Sequence, residues 1–153
     1  MDNKKLEKVA KKIATTKMAT VIYSAILIDE SDKAKILANS IHPNKYGEHV
    51  TLHYFGDGGG TDTPYAGTPV VLRLKEHFSD DKGEAWTVEC DNESVNALKD
   101  DSQTLHITVS CADGTKPVYS NQLIKSSKPD GREGFEVHGR IAYYMTNRNW
   151  IVE

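Results

Sequence analysis

Apolar residues fall along this chain in two rhythms, an alternation over short runs and a spacing of three or four over longer ones. Residues 3–16 place Leu6, Val9, Ala10 and Ile13 at helical spacing among Lys4, Lys5, Lys8, Lys11 and Lys12. The first 17 residues therefore read as an amphipathic basic helix packed on the body, its lysines either steering an anionic ligand or forming a solvated face. Residues 19–28 are rich in Val, Ile and Leu and predict a central strand. A helix over 30–40 follows, with Asp29 offered as N-cap and Ala34, Ile36, Leu37 and Ile41 as its apolar stripe. Strands are predicted at 49–55, at 70–78 and 84–90 as a hairpin, at 105–111 and at 135–145. A short helix is predicted at 117–125 and a turn at 128–131. The Gly-rich stretch 56–67 lacks a Gly-Lys-Ser/Thr ending, so it reads as a flap or plain connection and not as a phosphate-cradling loop.

Two of these strands carry one chemical pattern. His49-Val50-Thr51-Leu52 and His106-Ile107-Thr108-Val109 each set a His and a Thr on one face and two apolar residues on the other. Cleavage of a phosphodiester needs a base for the attacking oxygen and an acid for the departing one, and histidine serves both near neutral pH. Thr51 and Thr108 would donate hydroxyl hydrogen bonds to the non-bridging oxygens, where charge must be stabilised. The same residues could instead merely line the sheet surface.

The paired motifs resemble those of the 2H phosphoesterases, and the resemblance extends to Tyr-Ser-Ala-Ile-Leu-Ile-Asp at 23–29 and to Gly-Thr-Lys-Pro-Val-Tyr-Ser-Asn-Gln-Leu-Ile at 114–124. The latter is similar to a segment of the tRNA-ligase cyclic-phosphodiesterase and RNA-repair branch. The resemblance implies an α+β, two-lobed fold with antiparallel sheets facing a central cleft and flanking helices, in a single domain over 1–153. It also implies a metal-independent phosphodiesterase with His49, Thr51, His106 and Thr108 catalytic and no cofactor. Its substrates would be cyclic oligonucleotide signals of bacterial antiviral immunity, as for phage (anti-CBASS) nucleases, or RNA ends bearing 2′,3′-cyclic phosphates. A non-catalytic protein that sequesters a nucleotide is the remaining alternative.

Composition narrows the partners. A net charge of −3 favours a compact ligand or short oligonucleotide over duplex DNA. Bases need aromatic platforms, and Tyr23 and Trp86 are candidates, with Lys116 and Tyr119 a possible lid; each could equally be core or surface filler. On a strand His49 and His53 stand about 13 Å apart, too far to share an ion, and no metal set is predicted. His42, His77 and His138 receive no chemistry, and Trp150 reads as a packing anchor for the tail. Cys90 and Cys111 read as reduced thiols. The charged N-terminus and the lack of a long apolar run predict a cytoplasmic protein without membrane partners.

Overall fold

The computed structural model describes residues 19–56 and 58–153, so the basic helix expected over the first 17 lies outside the described residues. The strands are β1 (Val21–Ile28), β2 (Asn44–Lys45), β3 (His49–Tyr54), β4 (Pro69–Ser79), β5 (Gly83–Glu89), β6 (His106–Cys111), β7 (Glu136–Met145) and β8 (Trp150–Ile151). Among the described residues three short helices, α1 (Glu30–Leu37), α2 (Glu93–Leu98) and α3 (Tyr119–Ser126), interrupt them.

The strands form one antiparallel sheet in the order β1-β3-β6-β5-β4-β7, and β7 then pairs with β1. Six strands thus close into a barrel. β2 adds to β6 and β8 to β7 outside that ring. Inward positions are apolar and lose all or nearly all contact with water: Ile26, Val50, Leu52, Leu72, Leu74, Ile107 and Ile141. Alternate positions face outward, as the two-residue period of a strand requires.

Closure overturns the expected two-lobed α+β fold. The described residues are mostly β and form one closed sheet with no pair of sheets facing a cleft, and the 2H phosphoesterase resemblance that implied them falls with it. The individual strands lie close to where the alternation put them. What alternation does not encode is the seam between β1 and β7, strands more than a hundred residues apart in sequence. Gly139 sits in that seam opposite Ile28, where a Cβ would come within 2.5 Å of the Leu27 carbonyl oxygen. A glycine lets the two backbones approach and removes what would otherwise be open sheet edges.

Local differences have local causes. The helix expected over 30–40 ends at Leu37, and Asp29 flanks it without a side-chain capping bond. Asp32, although charged, is buried: its carboxylate accepts from the His138 backbone N–H (2.7 Å) and ring Nδ1 (3.0 Å), which ties α1 to β7. The polar stretch 92–103 contains α2, whose N-terminus is capped by the Asn92 side chain accepting from Val95 N–H at 3.1 Å. The hairpin turn between β4 and β5 is held by Asp80, whose carboxylate accepts from the amides of Lys82 and Gly83.

One end of the barrel holds a buried polar cluster. Glu84, 1% exposed, accepts from Ser110 Oγ (2.6 Å), His77 Nε2 (2.8 Å) and Ile41 N–H (2.9 Å). The opposite ring nitrogen of His77 donates to Asp130 at 2.7 Å. Burial alone pushes the Glu84 carboxyl up, but the bonds from His77, Ser110 and Ile41 outweigh it and hold the group below the usual carboxylate range. A carboxyl depressed in the folded state contributes stability above its unfolded value, and that stability is lost as pH falls through the folded one. Glu84→Ala leaves a buried imidazole and hydroxyl without their acceptor. It should destabilise the fold by about 3–5 kcal/mol in urea unfolding at neutral pH, with the deficit shrinking as the medium is acidified.

Candidate active site

Val50 and Ile107 form the ladder pair that joins β3 to β6. One step to either side, Thr51 stands across from His106 and His49 across from Thr108. Burial follows the same alternation: Val50, Leu52, Ile107 and Val109 are fully buried, whereas His49, Thr51, His106 and Thr108 are half-exposed. The four polar side chains therefore share the outer face of the barrel, with the two histidines on a diagonal that in such ladders spans about 7–8 Å. β2 and β3 lie on β6 in registers that differ by two residues, so the chain bulges between them. Gly47 allows this at φ +68°, and its N–H reaches the Thr108 carbonyl at 2.9 Å.

The four side chains open into a cleft of about 830 Å³. Val118, Asn121 and Lys125 of the α3 region form one wall, the loop 100–104 forms another, and Tyr46 and Tyr54 complete the rim. The loop is fixed by the Asp100 N–H donating to the Leu52 carbonyl (2.9 Å) and by its carboxylate accepting from Ser102.

The two histidines stand in different environments. His49 packs against Tyr23, with ring centroids 5.3 Å apart and planes at 27°, and against Trp150 at 5.7 Å. Burial lowers its pKa; Glu48 opposes the shift and His106 adds to it, and the net result lies below the ordinary histidine value. His49 is thus neutral near pH 7 and able to accept a proton. His106 donates from Nδ1 to the Thr104 carbonyl at 3.0 Å, which leaves Nε2 for chemistry. Thr108 Oγ1 is 2.7 Å from Ser120 Oγ and 3.3 Å from the Pro117 carbonyl. If Ser120 donates, the Thr108 hydrogen is left for Pro117 or for a ligand oxygen.

No protein-family model matches the chain, and no curated protein does. Among solved structures it is similar to one described as a fungal RNA kinase, at 19% identity and a TM-score of 0.46, over 78% of this chain and 41% of that one. The chain thus spans less than half of that protein's length, and a likeness of this degree transfers neither activity nor substrate.

Of the residues singled out from the sequence, His49, Thr51, His106 and Thr108 all line the one cleft. Tyr23 lies behind His49 and stacks on Tyr144 as well (5.3 Å), so it holds the imidazole and is not part of the wall. Trp86 corrects the expected platform. It is 3% exposed and pairs with Ile107, so its indole points into the barrel, edge-on to His77 and Phe135. Lys116 and Tyr119 line a different groove on the far side of α3. The Tyr119 hydroxyl donates to Asp80, which pushes its pKa up to about 12. His53 shares the outward face of His49 and Thr51 but packs on Phe55 at 4.2 Å.

Sequence reasoning missed Tyr54, Ser120 and Asn121. Strict alternation would turn Tyr54 inward with Val50 and Leu52, yet it is 67% exposed on the rim. Ser120 and Asn121 lie in a helical segment that was legible, but the direction from which it packs was not. Trp150, expected as an anchor, does pack the tail, and it packs it onto His49. Among the described residues no group of three or more His, Cys, Asp or Glu could hold a metal ion, and no helix is long and apolar enough to cross a membrane. Cys90 is half-buried, Cys111 is buried, and both thiols are free.

Because the aromatic packing depresses His49, Trp150→Ala should raise its titration midpoint toward the ordinary histidine value. Imidazole proton or nitrogen shifts followed by NMR across pH 4–8 (about the range histidines span) would show it. An unchanged midpoint would mean that burial by Trp150 is not the cause.

Proposed function

We propose that this cleft cleaves small RNA-like phosphodiesters by paired acid–base chemistry from His49 and His106. The observation that carries the reading is the register of β3 on β6, which puts two histidines and two threonines on one outward face around a single cleft. The neutral His49 removes the proton from a ribose 2′-hydroxyl as its oxygen attacks the adjacent phosphorus. The bond from phosphorus to the 5′-oxygen breaks, and His106 delivers a proton to that oxygen from Nε2. The products are a 2′,3′-cyclic phosphate and a free 5′-hydroxyl, and the two protons balance. Thr51 and Thr108 hold the non-bridging oxygens, with Ser120 as the donor that frees the Thr108 hydrogen. The Nδ1 bond to the Thr104 carbonyl fixes the His106 ring and leaves Nε2 as the nitrogen that delivers the proton.

No step in this scheme calls on a metal ion, so activity should survive a chelator. The narrower assignment to cyclic antiviral signals rested on a two-lobed family fold that the chain does not adopt, and it is not carried further. The test is incubation of chelator-treated protein with dinucleoside monophosphates, 2′,3′-cyclic mononucleotides and 3′–5′ cyclic dinucleotides, read by chromatography. Cleavage should fall by about 10²–10⁴-fold in His49→Ala and in His106→Ala. The pH profile should be bell-shaped, with its acid limb displaced below the ordinary histidine range because His49 must be neutral to act. If wild type binds these ligands but leaves them intact, the cleft sequesters nucleotides and cleaves nothing.

A further inference from the structure

A second groove, of about 820 Å³, runs along the other side of α3. Lys82, Lys116 and Lys125 stand in its wall with Thr115, Asn121 and Gln122, and no carboxylate of the described residues lines it. The carboxylates nearby are largely committed: Asp80 to the Tyr119 hydroxyl and two backbone amides, Asp113 to Asn44 Nδ2 at 2.9 Å. Asp81 is exposed in the turn next to Lys82 and is the opposing charge left over. Tyr119 forms the floor, with its ring against Gly83 and the Lys82 ammonium 5.8 Å from the ring centroid. In a chain of net charge −3, three lysines facing one exposed carboxylate leave this groove locally basic.

This groove is continuous with the cleft. Val118, Asn121 and Lys125 belong to both walls, so Lys125 stands between the two and only the width of α3 separates the scissile position from Lys82 and Lys116. A helix with its side chains is about 10–12 Å across. A mononucleotide bound between the histidines cannot span that distance, whereas a chain with further phosphates can.

We infer that the Lys82–Lys116–Lys125 groove holds phosphates flanking the scissile one, so that the preferred substrate is a single-stranded oligonucleotide crossing α3. The inference rests on the proposed reading of the cleft for which phosphate is cut, and the groove itself supplies charge without reading bases. Polar Thr115, Asn121 and Gln122 line it as well and can donate to phosphate oxygens.

The test compares two substrates with the same scissile step: a dinucleotide and a pentanucleotide whose single ribose 2′-hydroxyl restricts cleavage to that step. Wild type should show a lower KM for the pentanucleotide. Lys82→Gln/Lys116→Gln, which leaves every cleft residue in place, should raise that KM on the order of tenfold and reduce its log–log salt dependence by about 0.7 per lysine removed, with the dinucleotide unchanged. Equal KM values in wild type, or equal losses on both substrates in the double variant, would overturn the inference. If wild type cuts neither, the cleavage reading has failed. Fluorescence anisotropy with the same labelled oligonucleotides then decides the groove by itself: length-dependent binding lost in the double variant supports it, and length-independent binding overturns it. Competition by an acidic peptide of matched charge as strong as by the pentanucleotide would also overturn the assignment to a nucleic-acid strand.

Discussion

The contact between Val50 and Ile107 is the constraint on which the cleft depends. Both side chains are fully buried in the barrel, and together they fix β3 on β6 in a single register. Because side chains alternate along a strand, a slip of one residue would carry His49 and Thr51 inward and bring Val50 and Leu52 to the surface. Burying that histidine and hydroxyl without partners while exposing that apolar area is strongly unfavourable. The hydrophobic interior therefore locates the polar site, although none of its atoms reaches the cleft.

Two polar arrangements use burial to opposite ends. At the barrel end, Glu84 stays ionised in a dry setting because three donors converge on it, and the result is a pin that holds β5, β6 and the segment around Ile41 together. In the cleft, His49 gains little from hydrogen-bond partners and is desolvated by Tyr23 and Trp150, so its charged form is disfavoured. His77 and His49 are both packed against aromatic rings; what separates a structural imidazole from a reactive one here is the carboxylate at each ring nitrogen of His77.

The bulge at Gly47 and Glu48 joins these regions. β2 and β3 cannot both keep one register on β6, and the extra residues lie immediately before His49. The same short segment thus sets where β3 begins, turns Glu48 toward solvent, and leaves room for α3 to cover Thr108. A helix placed there limits the cleft on one side and opens a basic groove on the other.

The alternation along 49–54 and 106–111 was sufficient to show the two His-Thr faces, because in a strand the direction of each side chain follows from its position alone. Elements rich in apolar alternation were legible for the same reason, and so was the packing role of Trp150. The partner of each strand was not legible. Pairing β1 with β7 depends on a long-range fit at Gly139, and a local pattern carries the same information whether a sheet closes or opens into two lobes. Trp86 shows the same limit: its strand was recognised, but the face it presents was decided by the Ile107 opposite it. The sequence by itself determined which residues share a face. Only the tertiary structure decided which faces meet, because that depends on the free energy of burying surfaces far apart in the chain and not on the spacing within either one.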